Sequence, residues 1–509
     1  MKKLIILFLL LSFCLFYTFS QQDQYEIISE QKIEYRDVNS VYYHSPTSVV
    51  SYQQIVEDID NLKYLLKTCY AGYEDAVQRG LDLEKFEQNI LSEFSNSIYD
   101  KNSISTDKIC DVVYNELKNY VTDNHFSIYG ASTECILSNV NRVLYSNIYV
   151  REKNGKYFVV ESDIPEIKKK SEFTGSKENL FLYPAKGKNI YRIGYVKTVE
   201  NSKQKNIEEI IKINFDNYDF DVKVKDYDAI EIKNGWYFGE QETKKAVYVS
   251  SSSFTEPPKM SAYKSYFDKA TKKYIDVAKN FNSKDYVIID LRSNNGGFAN
   301  YSLELFYKMY TGLYNENLEY QYDRIRDHFE SRYYLDSVGV VKAKYVYLKN
   351  LNPKDEFLNE YINAINDMSK NPIRYLLKEK TEKIFIGEKK YNGKIIIIAD
   401  RNTMSAAEST IICAKALFGN NCYLVGENSN GCHAYGGVYT YQLPNGSLAV
   451  RLSNIKYDFI LNNKVINIEG IGFTPDYWST NEDLLETLVA ITGDKSLRKV
   501  LHGIEVGLK

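Results

Sequence analysis

Two stretches of unbroken apolar residues, each delivered through a short loop into a helix, constrain what this chain can become. Residues 286–291 (Tyr-Val-Ile-Ile-Asp-Leu) run into Arg292-Ser293-Asn294-Asn295-Gly296-Gly297, and helical spacing then extends to about Tyr310. Residues 394–399 (Lys-Ile-Ile-Ile-Ile-Ala) pass through Asp400-Arg401-Asn402-Thr403-Met404 into a helix over 405–418, followed by the strand 423–425. Strands apolar on both faces cannot leave either side to water, so they belong in a sheet covered by helices, and strand–helix–strand order makes that sheet partly parallel. The fold class expected is therefore α/β. With 509 residues the chain has room for about three domains at ~150 residues each; its 44% apolar content supplies a sizeable core. Lys and Arg number 64 against 67 Asp and Glu, so no basic surplus points to nucleic acid.

The flanking segments have other periods. Lys2 and Lys3 precede an apolar run, Leu4 to Phe19, that ends in Ser20-Gln21-Gln22. As a helix it would reach roughly 24 Å, short of the ~30 Å hydrocarbon core. Residues 1–20 thus read as a secretory signal, with an uncleaved anchor as the alternative and a weaker lipoprotein reading at Cys14. The mature protein is expected to be exported, with no stable membrane span. Within 21–125, an extended lead-in precedes three amphipathic helical sets: Ile55, Ile59, Leu62 and Leu66; Leu83, Phe86, Ile90 and Phe94; and Ile109, Val112, Val113, Leu117 and Val121. They predict a small bundle closed by Asp123-Asn124-His125. Residues 126–255 are β-rich and lack a convincing PDZ glycine loop. The core spans 256–480, with a polar, helix-leaning segment at 315–390 that reads as an insertion or a lid, and 481–509 form a helical tail. Six cysteines outlast the signal (Cys69, Cys110, Cys135, Cys413, Cys422, Cys432), and oxidation would allow 15 full pairings with none assignable. No C-x-x-C pair and no H-E-x-x-H spacing occurs among the five histidines, so neither a metal nor another cofactor is expected.

Ligands of open α/β sheets gather beyond the carboxyl ends of the strands. Two loops sit there, Ser293–Phe298 and Asp400–Ser405. Paired glycines in the first let backbone N–H groups approach a substrate oxygen. The second ends on a serine at a helix start, where free N–H groups favour negative charge. A hydroxyl beside exposed N–H donors is half of an acyl-transfer site. The same residues have plainer uses: Ser405-Ala406-Ala407-Glu408 fits the S-x-x-E capping box, and Gly296-Gly297 an ordinary turn.

In combination these motifs carry a resemblance. Asp290-Leu291-Arg292-Ser293-Asn294-Asn295-Gly296-Gly297 resembles the D-L-R-x-N-x-G-G stretch of the C-terminal processing (tail-specific) serine peptidases and the tricorn protease core. Ser405-Ala406-Ala407-Glu408 is similar to their S-A-x-E nucleophile segment, and residues 426–431 (Gly-Glu-Asn-Ser-Asn-Gly) to their G-E-x-T-x-G. Leu443-Pro444-Asn445-Gly446 and residues 469–476 resemble the late L-P-x-G and E-G-x-G-x-x-P-D elements. The resemblance implies a crotonase-like peptidase core, Ser405 as nucleophile, and a polypeptide substrate. It implies an oxyanion site from the N–H of Gly296 or Gly297 with that of Ala406.

The base is where the sequence departs. Ser–Lys members place a lysine after the glycine corresponding to Gly431; here that residue is Cys432, and no lysine occurs between Tyr423 and Val450. Tricorn-like members use a histidine from an amino-terminal D-x-H and a late glutamate, which His125 and Glu469 match. Imidazole can take the serine proton and return it to the leaving amine. Other uses stay open: His125 fits a helix-end cap, Glu469 a turn carboxylate, and His433 is a rival base beside the lost lysine. Cys432 as nucleophile is a further alternative. The functional expectation is a secreted or periplasmic serine endopeptidase. The runner-up is a ligand-binding relative without catalysis.

Overall fold

The two apolar runs become neighbouring parallel strands, Tyr286–Asp290 beside Lys394–Ala399, with Val287 opposite Ile395 and Asp290 opposite Ile398. The computed structural model describes residues 25–33, 35–96, 98–137, 139–200, 206–227, 238–255, 257, 264–312, 330–379, 391–461 and 464–501; the expected signal at 1–20, Cys14 included, lies outside them. Ala246–Ser251 pairs parallel on one side of this centre, Cys422–Gly426 and then Tyr477–Trp478 on the other, and Phe238–Glu242 adds an antiparallel edge. One face, with Val287, Ile289, Ile395 and Ile397, is covered by helices Asn300–Thr311 and Ala406–Phe418. Ile288, Ile396 and Ile398 on the other face meet Leu484 and Leu488 of helix Leu484–Thr492. The chain is α/β with a mixed, mostly parallel central sheet. The carboxyl-terminal helix completes it.

A second, antiparallel sheet joins the amino-terminal helices to the core. Its long strand, Ala449–Leu461, pairs with Tyr435–Gln442 on one side. On the other it pairs with Glu330–Asp336 and, at its start, with the short strand Ser127–Tyr129. The three amphipathic sets form helices Tyr52–Cys69, Leu83–Ser95 and Thr106–Leu117. Their buried stripe packs with Tyr441, Leu443, Leu448, Val450 and Leu452 in one continuous apolar core. The bundle is therefore built onto a hairpin contributed by the far end of the chain. Residues 330–379, read from sequence as part of a polar lid, supply two strands of the same sheet and helices Val338–Leu351 and Leu358–Lys370. Val338, Val340 and Ala343 are buried, so the segment is part of the body.

The β-rich stretch is divided. Ser127–Tyr129 and Glu134–Ile136 belong to the antiparallel sheet, and Phe238–Glu242 with Ala246–Ser251 to the central one. Between them, Val140–Lys153 pairs with both Lys156–Glu161 and Tyr218–Lys225, closing a five-stranded ring through Glu172–Phe173 and Glu208–Phe215. The ring has its own core of Leu144, Ile148, Val150, Ile213, Phe215 and Val222.

The turn Leu443-Pro444-Asn445-Gly446 is clamped to the first helix by Asp58, which is fully buried. Its carboxylate accepts the N–H groups of Asn445 (2.9 Å) and Ser447 (3.0 Å) and the Asn445 side-chain amide (3.0 Å). Truncation would strand buried backbone donors, each costing about 1–3 kcal/mol. Asp58→Ala is expected to destabilise the protein by about 3 kcal/mol, read from urea denaturation midpoints. A shift under ~0.5 kcal/mol would show the clamp to be dispensable.

Candidate active site

Ser405 closes the loop between strand Lys394–Ala399 and helix Ala406–Phe418, with φ 56° and ψ −123°. Side chains rarely occupy that region, and such strain persists only where surroundings impose it. The surroundings here are the glycine loop. A Cβ on Gly296 would lie 2.7 Å from the Ser405 Cβ and 3.0 Å from the Ala406 nitrogen, so only glycine lets the two loops touch. Asn294 rivets them together. Its side-chain amide donates to the Ser251 carbonyl (2.9 Å), its Oδ1 accepts the Gly296 N–H (2.9 Å), and its carbonyl accepts the Met404 N–H (3.0 Å). Asp290 and Arg292, a buried pair 2.6 Å apart, brace the loop from beneath.

The capping-box reading of Ser405-x-x-Glu408 captures part of the truth. The Ser405 N–H does donate to Glu408 Oε2 (3.2 Å). The same buried carboxylate also accepts from the Ser429 hydroxyl (2.6 Å) and the N–H groups of Gly431 (2.8 Å) and Cys432 (2.8 Å). Burial raises the Glu408 pKa, while these four donors oppose the shift. Glu408 thus fixes the loop that follows strand Cys422–Gly426, and the Cys432 carbonyl in turn accepts the Ser405 N–H at 3.0 Å.

His125 reaches this loop from the other end of the chain. Helix Thr106–Leu117 ends, and Asp123-Asn124-His125 leads into strand Ser127–Tyr129, which is held by Ala449–Arg451. Arg451 donates to the His125 carbonyl (3.2 Å), and the Asn124 amide donates to the Gly431 carbonyl (2.8 Å). The result is a contact of 3.1 Å between His125 Nε2 and Ser405 Oγ, across 280 positions of sequence. Both side chains are only partly covered, and a substrate could reach them.

The other expected residues are placed as follows. Glu469 does not bond the imidazole. Its carboxylate accepts the N–H groups of Asn124 (2.7 Å), His433 (3.0 Å) and Ala434 (2.7 Å), which ties the residue before His125 to the Gly431 loop. Burial and the neighbouring Asp123 push its pKa well above the usual range. The carboxylate facing the ring is Asp123, with Oδ1 3.6 Å from Nδ1 and a side chain fully buried. That distance is beyond a hydrogen bond, and Asp123 Oδ1 already accepts the His125 backbone N–H at 2.8 Å. His433, the rival base, is corrected: its Nε2 lies 2.5 Å from Ser409 Oγ, one helical turn past Ser405. It stacks on Phe459 at 4.7 Å, and burial lowers its pKa to about 3. Cys432 is buried, and its thiol is pushed far up by burial and by Glu469 and Glu408, which suits neither nucleophile nor base. Of the oxyanion donors, Gly296 is also corrected, because its N–H is already taken by Asn294. The N–H groups of Gly297 and Ala406 have no acceptor among the described residues, and Gly297 is exposed.

One set of contacts was not anticipated. Arg401, in the nucleophile loop, grips Glu427 with two bonds of 2.9 Å and Asp226 at 2.9 Å. Asp226 also accepts from Arg142 of the five-stranded ring at 3.0 Å. Charge alternation separated by 84 and 175 positions leaves no local pattern to read. Asp400, beside Arg401, accepts the N–H groups of Ser293 and Asn402, both at 3.0 Å, and burial raises its pKa to about 6. An unfolded aspartate releases its proton near pH 4. Between about pH 4 and 6 the folded form therefore holds the extra proton, and stability is lost as pH rises through that window. Asp400→Asn is expected to flatten this dependence, of order 3 kcal/mol, in urea denaturation at stepped pH. An unaltered slope would contradict the assignment.

Comparison with known proteins follows the same lines. The model of peptidase family S41 matches residues 245–479, which contain both strand–loop–helix units. No curated protein matches the chain. Among solved structures, mature CPAF is 14% identical, covering 89% of this chain and 98% of its own, with a TM-score of 0.41. The photosystem II D1 C-terminal processing protease is 11% identical over 88% of this chain and 99% of its own, TM-score 0.35. The tricorn protease is 12% identical over 87% and 36%, TM-score 0.34. Residues 245–479 thus match peptidase family S41, and the protein is a serine-type peptidase.

Proposed function

We propose that the protein is an exported endopeptidase that cleaves polypeptides through an acyl-enzyme on Ser405, with His125 as general base. The observation that carries this reading is the 3.1 Å approach of His125 Nε2 to Ser405 Oγ, a distance at which proton transfer needs no rearrangement. Ser405 Oγ attacks the scissile carbonyl as its proton passes to Nε2, and the oxyanion falls to the N–H groups of Gly297 and Ala406. Each such donor is worth about 3–4 kcal/mol of transition-state stabilisation in acyl-transfer enzymes. The imidazolium then protonates the leaving amine, and water repeats the sequence to release the acyl group. Asp123 stabilises the imidazolium and orients Nδ1–H, which a small side-chain rotation brings within hydrogen-bond reach. Glu469 acts one step removed, as a positioning residue that holds Asn124. The lysine-free stretch from 423 to 450 supports the histidine over a Ser–Lys dyad. Export rests on the charged start and the apolar run at 2–19.

Purified protein is expected to hydrolyse an unfolded polypeptide such as casein and to be labelled by a fluorophosphonate. Ser405→Ala abolishes both, and His125→Ala lowers hydrolysis about 10⁴-fold. His433→Gln retains the reaction within about tenfold, because that ring serves Ser409. If folded wild type neither hydrolyses nor labels across a wide pH range, the binding-protein reading replaces this one. For Asp123→Asn, kcat is expected to fall about 100-fold or more with KM little changed. Equal activity in that variant would return the orienting role to Glu469.

A further inference from the structure

Two thiols meet beside the segment that delivers His125. Cys110 lies on helix Thr106–Leu117, fully buried, with its Sγ 3.4 Å from the Ile128 carbonyl oxygen. Ile128 is the cross-strand partner of Cys135 in the hairpin formed by Ser127–Tyr129 and Glu134–Ile136. The Cys135 Sγ in turn lies 3.7 Å from an oxygen of Asp111, the residue after Cys110. The Cys110 side chain thus rests against the strand that Cys135 pairs with, and both cysteines are free. They are unequal: Cys135 is partly exposed, and Cys110 is not. Each thiol acts on the other, lowering the pKa of Cys135 and raising that of Cys110, so the accessible sulfur is the one favoured as thiolate.

We propose that Cys110 and Cys135 are a disulfide site that staples the third helix to the hairpin carrying the imidazole. The oxidant required is a low-molecular-weight disulfide. The Cys135 thiolate attacks one sulfur of that disulfide, forming a mixed disulfide and releasing the first thiolate. Cys110 gives up its proton, and its sulfur attacks that of Cys135, expelling the second thiolate. Two electrons pass from the cysteines to the reagent, and the two protons end on the released thiols. The bond closes a loop that contains Asp123, Asn124 and His125, and such closure stabilises chiefly by restricting the unfolded chain. The proposal stands apart from the proteolytic reading, since its readouts do not use catalysis.

The test is to incubate the folded, full-length reduced protein with glutathione disulfide, block free thiols, and map peptides without reduction. The expected result is a cross-linked peptide pair joining Cys110 to Cys135 and a melting temperature about 5 °C above that of the reduced protein. Cys135→Ser, at the partly exposed position, is expected to lose both the cross-link and the shift. Cys110→Ser should trap a lasting glutathione adduct on Cys135. The proposal is overturned if both thiols of the wild type stay free, if a glutathione adduct persists on its Cys135, or if either cysteine pairs elsewhere. A cross-link with no change in melting temperature would overturn the staple.

Discussion

One buried carboxylate governs the geometry of the site. Glu408 gathers four donors, from Ser405, Ser429, Gly431 and Cys432, at 2.6–3.2 Å. A charge enclosed by protein is tolerable only when its oxygens are saturated in this way. Because the donors come from two separate loops, satisfying Glu408 sets their spacing. Gly431 then offers its carbonyl to Asn124, and Gly470 donates back to it at 2.8 Å. The position of His125 over Ser405 follows from this chain of contacts.

The family motifs look different once their partners are known. Asp290 and Arg292 in D-L-R neutralise each other at the carboxyl end of strand Tyr286–Asp290, and Asn294 fastens two loops. Of the two glycines in that motif, Gly297 keeps an N–H with no acceptor among the described residues. The E of the late E-G-x-G stretch, Glu469, holds three backbone N–H groups and leaves the imidazole to Asp123. These residues support the site more than they perform its chemistry.

How much was readable beforehand follows from the range of each signal. The strands at 286–290 and 394–399 and the helices at 52–69, 83–95 and 106–117 declare themselves by local periodicity, so their existence was legible. Ser405 and His125 stood out through short motifs, and their side chains lie 3.1 Å apart. The Gly296 donor was misplaced because an N–H looks equally free in any Gly-Gly, and only Asn294, folded back over it, shows otherwise. His433 drew attention by its place next to Cys432, yet its ring lies against Ser409 and Phe459. Residues 330–379 read as polar because their strands sit in a sheet that the distant strand 449–461 completes. Contacts between remote segments leave no spacing to detect.

Ser405 and His125 come from opposite halves of the polypeptide, and the strand that presents His125 pairs with residues 449–451. During translation, the imidazole cannot be seated until that partner strand has left the ribosome. A chain still being made therefore lacks the pairing that brings the two groups together, whatever its amino-terminal helices have already formed. Such long-range closure slows folding.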